Sequence, residues 1–227
     1  MSEGPTPSTT RRGFLATSAA GAAIAALGTL PAFPGLAAQQ GTPQVDQAQG
    51  WLRPIRSKYR QFFDTPRMDN AIPLLHVNNY LGTWRAQPGV KHDDVHAVLG
   101  IFGFAVPVVF GDAMWSKYQL GKALGLTDAA TGQPYVRNPY LAPQNGELLA
   151  SPDAAIPALQ RNGATVILCN NAFGFWVGRI AQGSGAAPDA VRAEMLANLA
   201  PGVTLVPAMV MAVEQAQRYG LTYMKNM

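Results

Sequence analysis

Apolar positions along this chain follow two alternating rhythms. Short runs rich in β-branched and aromatic residues read as strands: KYRQFFD (58–64), DVHAVLGIFG (94–103), ATVILCN (164–170), VTLVPA (203–208) and LTYMKN (221–226). Between them, apolar residues recur at helical spacing over 68–89, 105–125, 151–163, 172–183, 187–202 and 209–220. Pro73 fits only in a first helical turn, so the first helix is expected to begin near Ile72. Ser151, Pro152 and Asp153 look like a helix start with Ser151 as the N-cap, and Pro188 with Asp189 looks like another. Gly125, Gly163 and Gly220 read as stops. Strands interleaved with helices of this length predict βαβ units: an α/β fold with a mostly parallel five-stranded sheet and helices on both faces.

One stretch breaks the rhythm. Residues 126–150 carry Gly, Pro and Asn throughout with no sustained period. Structureless loops longer than about 15 residues are uncommon inside a compact domain and are usually functional or disordered. Tyr135, Tyr140 and Arg137 speak for an ordered excursion, either a lid or a subunit contact.

Composition sharpens the picture. Apolar residues make up 48% of the 227-residue chain, enough for a sizeable core, and charged residues only 13%. The net charge is +4, yet no more than two Lys/Arg are adjacent, which speaks against a nucleic-acid groove. Residues 1–38 read as a targeting segment: Arg11-Arg12-Gly13-Phe14-Leu15, then an Ala/Gly-rich apolar stretch to Leu30, then small residues around Gly35-Leu36-Ala37-Ala38. The pattern resembles a twin-arginine export signal, the alternative being a single uncleaved anchor helix. Its loss would remove two arginines and Glu3, leaving about +3 and no stable membrane span. The expected address is the periplasm, and the export machinery is the first expected partner. Residues 39–57 read as an extended lead-in.

Candidate chemistry centres on Cys169, the chain's only cysteine. It closes an apolar strand just before a helix, at the carboxyl edge where open α/β sheets bind ligands. A helix start offers unpaired N–H groups that favour a thiolate. Asn170, Asn171 and Phe173 would line such a site, the asparagines as donors or helix caps. The competing reading is a buried, inert cysteine, since free Cys is among the most buried residue types. KHDDVH (91–96) has ligand-type residues, but it precedes a strand and sits at the opposite edge, where a solvated turn is the plainer reading. Tyr80 and Trp84 share one face of the first helix and suit core packing, while Asp112 and Trp115 suit a cleft. There is no phosphate-binding glycine loop and no G-x-S-x-G elbow, and no resident metal or cofactor is expected.

Three stretches in this order resemble the DsrE/DsrF-like family of small α/β proteins. They are Asn70 with Asn78-Asn79, the strand ending VILCNN with its following helix, and GVTLVPAMVMAVEQAQRYGLTYMKN. The resemblance spans roughly 58–227, with 126–150 as an insertion. It implies a flavodoxin-like three-layer sandwich and a homo-oligomer, a trimer or hexamer. Some members carry sulfur as a persulfide on a cysteine just after a central strand, the position of Cys169. Members of the sulfur relay are cytoplasmic, whereas this chain carries an export-type segment. The expected function is periplasmic binding or transfer of a small sulfur species on Cys169. The alternative is a non-enzymatic oligomeric ligand-binding or assembly module with an inert Cys169.

Replacing Arg11 and Arg12 together with lysine should leave the protein in the cytoplasm. Fractionation that still recovers the double variant in the periplasm would exclude the twin-arginine route.

Overall fold

The structure is a computed structural model that describes residues 49–144, 147 and 151–227. The expected targeting segment 1–38 and residues 39–48 of the lead-in lie outside the described residues, as do 145–146 and 148–150 of the long loop. Five strands, β1 (Tyr59–Thr65), β2 (Val95–Ile101), β3 (Ala164–Cys169), β4 (Val203–Val206) and β5 (Thr222–Lys225), form one sheet in the order β4-β3-β2-β1-β5. Every pairing is parallel. The helices are α1 (Ile72–Arg85), α2 (Asp112–Lys117), α3 (Leu120–Ala123), α4 (Ile156–Arg161), α5 (Asn170–Ser184), α6 (Pro188–Ala197) and α7 (Met209–Arg218). Together they form the expected three-layer α/β sandwich of flavodoxin type.

Side chains alternate across the sheet with period 2. In the central strands Phe63, Leu99, Ile101, Val166 and Leu168 point to one face, where they pack with residues of α1 to α6. Phe62, Val98, Ile167 and Cys169 point to the other, where they meet Met209, Ala212 and Ala216 of α7. Both faces of β2 and β3 are therefore apolar, which explains their nearly unbroken hydrophobic runs. α1 begins at Ile72 with Pro73 in its first turn, as expected, and lies on β1 through rings. Tyr59 stacks on Trp84 at 3.8 Å, and Phe63 meets Tyr80 edge-on at 5.5 Å.

Several sequence expectations need correction. Residues 105–125 are not one helix. Gly103–Val109 is a 3₁₀ turn containing Pro107, Gly111 is extended ahead of α2, and Gln119 is left-handed at φ 49° ahead of α3. Pro107 lacks the N–H that a continuous helix needs there. Residues 151–163 also divide: Pro152–Ala154 is a 3₁₀ turn, and α4 begins at Ile156 because Pro157 fits only a first turn. The Ser151 side chain caps nothing. The lead-in is not merely extended, since Trp51, Leu52 and Ile55 are buried on the α7 face and complete its thin layer.

The long loop is docked where it is described. Tyr135 and Tyr140, expected to be exposed as contact residues, are 4% and 1% exposed and belong to the chain's own core. Fully buried Asn138 clamps the loop. Its Nδ2 donates to the carbonyls of Val108 and Phe110 at 2.7 and 2.8 Å, and its Oδ1 accepts the Tyr140 N–H at 2.9 Å. The Asn138 N–H donates to Asp112 Oδ1 at 2.8 Å, so Asp112 anchors the loop rather than facing a cleft. Trp115 is likewise buried, its Nε1 donating to Pro107 O at 2.9 Å.

Gly121 lets the loop approach this closely, because a Cβ there would lie 2.2 Å from the Tyr135 carbonyl oxygen. Backbone cannot yield as a flexible side chain can. Gly121→Ala should destabilise the protein by about 1–3 kcal/mol in urea unfolding. Gly82 lies inside α1, where an added Cβ meets nothing within 4 Å. Gly82→Ala should instead stabilise it, by about 0.5–1 kcal/mol.

Candidate functional site

β3 carries the candidate cysteine to the carboxyl edge, where Cys169 pairs with Val206 of β4 and serves as the N-cap of α5. From this point the two strands part company. β3 continues into α5, whose Phe173, Trp176, Val177 and Ile180 pack on one face of the sheet. β4 continues through Pro207-Ala208 into α7, whose Met209, Ala212 and Ala216 pack on the other. Neighbouring strands whose outgoing connections leave on opposite faces open a crevice at their carboxyl ends, which is where ligands of open α/β sheets bind. Cys169 stands at the point where the chain changes face.

The sulfur lies on the α7 side. Cys169 alternates with Leu168 and so shares the face of Ile167. Its Sγ therefore meets not the N–H groups of its own helix, as the sequence suggested, but the start of α7: the Met209 N–H donates to it at 3.3 Å. Ala208, the N-cap of α7, has no side chain able to cap. The sulfur thus occupies an acceptor position that a serine or aspartate often fills at other helix starts. Cys169 is 6% exposed, packed with Ile167, Val206, Met209 and Ala212 and flanked by half-buried Phe102 and Ala172.

The other expected site residues are dispersed. Asn170 Oδ1 accepts a hydrogen bond from Arg192 Nη2 at 2.9 Å, tying the start of α5 to α6. Asn171 is exposed. Phe173 is fully buried on the opposite side of the sheet from the sulfur, with its ring 6.1 Å from that of Phe110 and the Arg192 guanidinium 5.1 Å above it. Asn170 and Asn171 adjoin Cys169 along the chain, whereas Phe173 is a core residue.

The chain matches no protein-family model, no curated protein and no solved structure.

The Met209 N–H could not be foreseen from residue types, because a backbone donor leaves no trace in residue identity. The sequence also hid a cleft of about 500 Å³ further along the same edge, at the carboxyl ends of β1 and β2. Arg67, Met68, Asp69, Asn70, Phe104, Leu124, Leu126 and Tyr140 line it. The Arg67 guanidinium lies 5.5 Å from the centre of the Phe104 ring, which is itself half exposed. Asn70 and Ala71 are both left-handed, at φ 49° and 68°. Asparagine tolerates that conformation, but for alanine it costs on the order of 1–2 kcal/mol, and strain of this kind gathers at functional sites. KHDDVH forms an exposed 3₁₀ turn at the opposite edge, His92–Asp94, and continues into β2. Among the described residues, no three His, Cys, Asp or Glu side chains gather as a metal site, and no helix is long and apolar enough to cross a membrane.

Gly100 sits beneath the start of α7. A Cβ there would lie 2.6 Å from Phe62 Cζ and 2.8 Å from Met209 Sδ. The Phe62 ring is buried and confined, so Met209 has to yield. Gly100→Ala should loosen the cover over Cys169 and speed its alkylation while leaving the circular dichroism spectrum native. An unchanged rate would show that Met209 does not control access.

Proposed function

We propose that this protein is an exported DsrE-like protein that binds or transfers a small sulfur species on Cys169. One observation carries the reading: the sulfur stands at the change of face between β3 and β4, with the first N–H of α7 directed at it. An N–H at the positive end of a ten-residue helix is a partner suited to a sulfur anion. The Cys169 thiolate attacks the outer sulfur of a persulfide donor, R–S–SH. The donor S–S bond breaks, R–S⁻ leaves and takes up a proton, and Cys169 holds the sulfur as Cys–S–SH. One S–S bond replaces another, so no oxidant is consumed. The same step in reverse delivers the sulfur to an acceptor thiol. The periplasmic address is part of the proposal and rests on Arg11-Arg12 and the segment that follows.

The near-complete cover over Cys169, together with a cleft of about 500 Å³ elsewhere on the same edge, favours a second reading. In it the chain is a non-enzymatic binding or assembly module that acts as a homo-oligomer, Cys169 is a core residue, and the ligand sits between Arg67 and Tyr140.

Thiol reactivity separates the two. On the first reading, native protein is alkylated at neutral pH without denaturant. Mass spectrometry after exposure to a sulfane donor then shows one added sulfur atom, which is absent from Cys169→Ser. Native protein that resists both reagents until it is unfolded excludes sulfur transfer and leaves the binding module.

A further inference from the structure

The amino edge of the sheet, opposite Cys169, collects cations. Arg85, Arg161 and Arg218 lie in the last turns of α1, α4 and α7, where positive charge complements the helix dipole. Arg56 comes from outside any helix, just ahead of β1, and its guanidinium donates to the Tyr219 hydroxyl and to Ile55 O. A cleft of about 300 Å³ lies here, lined by Arg56 and Arg85 together with Ser57, His92, Asp93, His96 and Gly163.

The charges in this cleft are poorly balanced. Half-buried Arg85 donates through Nη2 to Asn162 O at 2.7 Å and through Nε to His92 O at 3.4 Å, both neutral carbonyls. No ion pair to Arg56 or Arg85 forms among the described residues. The acid at the rim, Asp93, turns its fully exposed carboxylate to solvent and to His92 Nδ1 at 3.1 Å. Burial lowers the proton affinity of Arg85, with Asp93 opposing only in part. His96, held at 2.9 Å from Thr165 Oγ1, is pushed down to about 4 by burial and by the charge of Arg85, so it is neutral at physiological pH. Gly163, at φ +81°, makes room: a Cβ there would lie 3.1 Å from Arg85 Nη2. The cleft thus holds half-buried Arg85 with no carboxylate paired to it, and Arg56, likewise without a paired carboxylate, lies along its lining with its guanidinium resting on Tyr219.

We propose that this cleft binds a phosphate-type oxyanion, free or as the headgroup of a phosphate ester, through the guanidiniums of Arg85 and Arg56. A guanidinium presents planar N–H pairs that match a tetrahedral oxyanion two at a time, and a partly desolvated guanidinium gains more from such a partner than one in open water. The site is independent of Cys169 and stands at the other edge of the sheet.

The test titrates inorganic phosphate into the purified protein, with chloride replaced at constant ionic strength, and follows thermal unfolding and binding heat. Expected is a saturating rise in Tm with phosphate that chloride does not give. Arg56→Gln and Arg85→Lys should each weaken binding at least tenfold. The lysine variant keeps the charge and loses only the fork, which covers the case that Arg85→Gln fails to fold. Arg161→Gln, on the same edge but outside the cleft, should bind phosphate like the parent protein. Phosphatidylglycerol vesicles distinguish the source of the anion. Vesicle binding that free phosphate competes away assigns the cleft to a lipid headgroup, and phosphate binding without vesicle binding assigns it to a free ligand. A shift that does not saturate, one that survives both arginine substitutions, or one lost equally in Arg161→Gln overturns the site in favour of diffuse charge attraction. Vesicle binding that neither phosphate nor Arg56→Gln affects overturns it as well.

Discussion

The handedness of a β-helix-β crossover governs this molecule. Parallel crossovers are right-handed in nearly all proteins. While the chain steps from β1 to β2 to β3 to β4, its helices must therefore fall on one face. The final step runs back across the sheet from β4 to β5, and the same handedness puts α7 on the other face. The change of face at the β3–β4 boundary follows without any special residue. That one constraint parts α5 from α7 and brings the start of α7 over whatever side chain β3 presents there. In this chain the side chain is Cys169.

The legibility of the sequence follows the same division. β2 and β3 lie in the middle of the sheet with both faces covered, so their apolar runs stand out, and all five strands fall where the pattern places them. The region 105–125 misleads because Ala105 to Phe110 are buried together, and burial on every side mimics a helical stripe. Its breaks rest on Pro107, which was visible, and on the left-handed Gln119, which composition does not reveal. Tyr135 and Tyr140 looked like surface rings because the loop around them is polar. What buries them is an approach to Gly121 and a clamp by Asn138, both set by contacts far from them in sequence. The position of Cys169 was legible, and so was its edge of the sheet. The direction of its sulfur was not, because it depends on which neighbouring helix crosses which face.

The covered sulfur answers to two demands that pull apart. An apolar surround of Ile167, Val206 and Ala212 strengthens a lone N–H···S contact by excluding competing water. The same surround raises the cost of placing a negative charge there. A small, weakly polar thiol meets the first demand as a resting group, since it packs like an apolar side chain and still accepts the Met209 N–H. Chemistry on it would require the cover to open, and the cover rests on the packing of Met209 over Phe62 and Gly100. Access to the thiol is thus coupled to the packing of α7, the only α-helix of that layer among the described residues.

The two edges of the sheet present opposite backbone chemistry. At the carboxyl edge, helices begin and their first N–H groups point outward, so an anionic sulfur there can be met by the backbone alone. At the amino edge, helices end and their last carbonyls point outward, which repels anions and draws cations. Arg85 shows what this requires: its guanidinium is held by the carbonyls of Asn162 and His92, and its positive charge is turned against the negative end of the fold. An anion received at this edge has to be held chiefly by side chains, because the one backbone N–H seen to meet a carboxylate here, that of Lys91, is taken by Asp94. Arginine suits that task better than lysine, since its planar fork can satisfy carbonyls on one side and still present N–H groups on the other. The carboxyl edge thus meets a sulfur through the first N–H of a helix, whereas the amino edge turns arginine side chains outward.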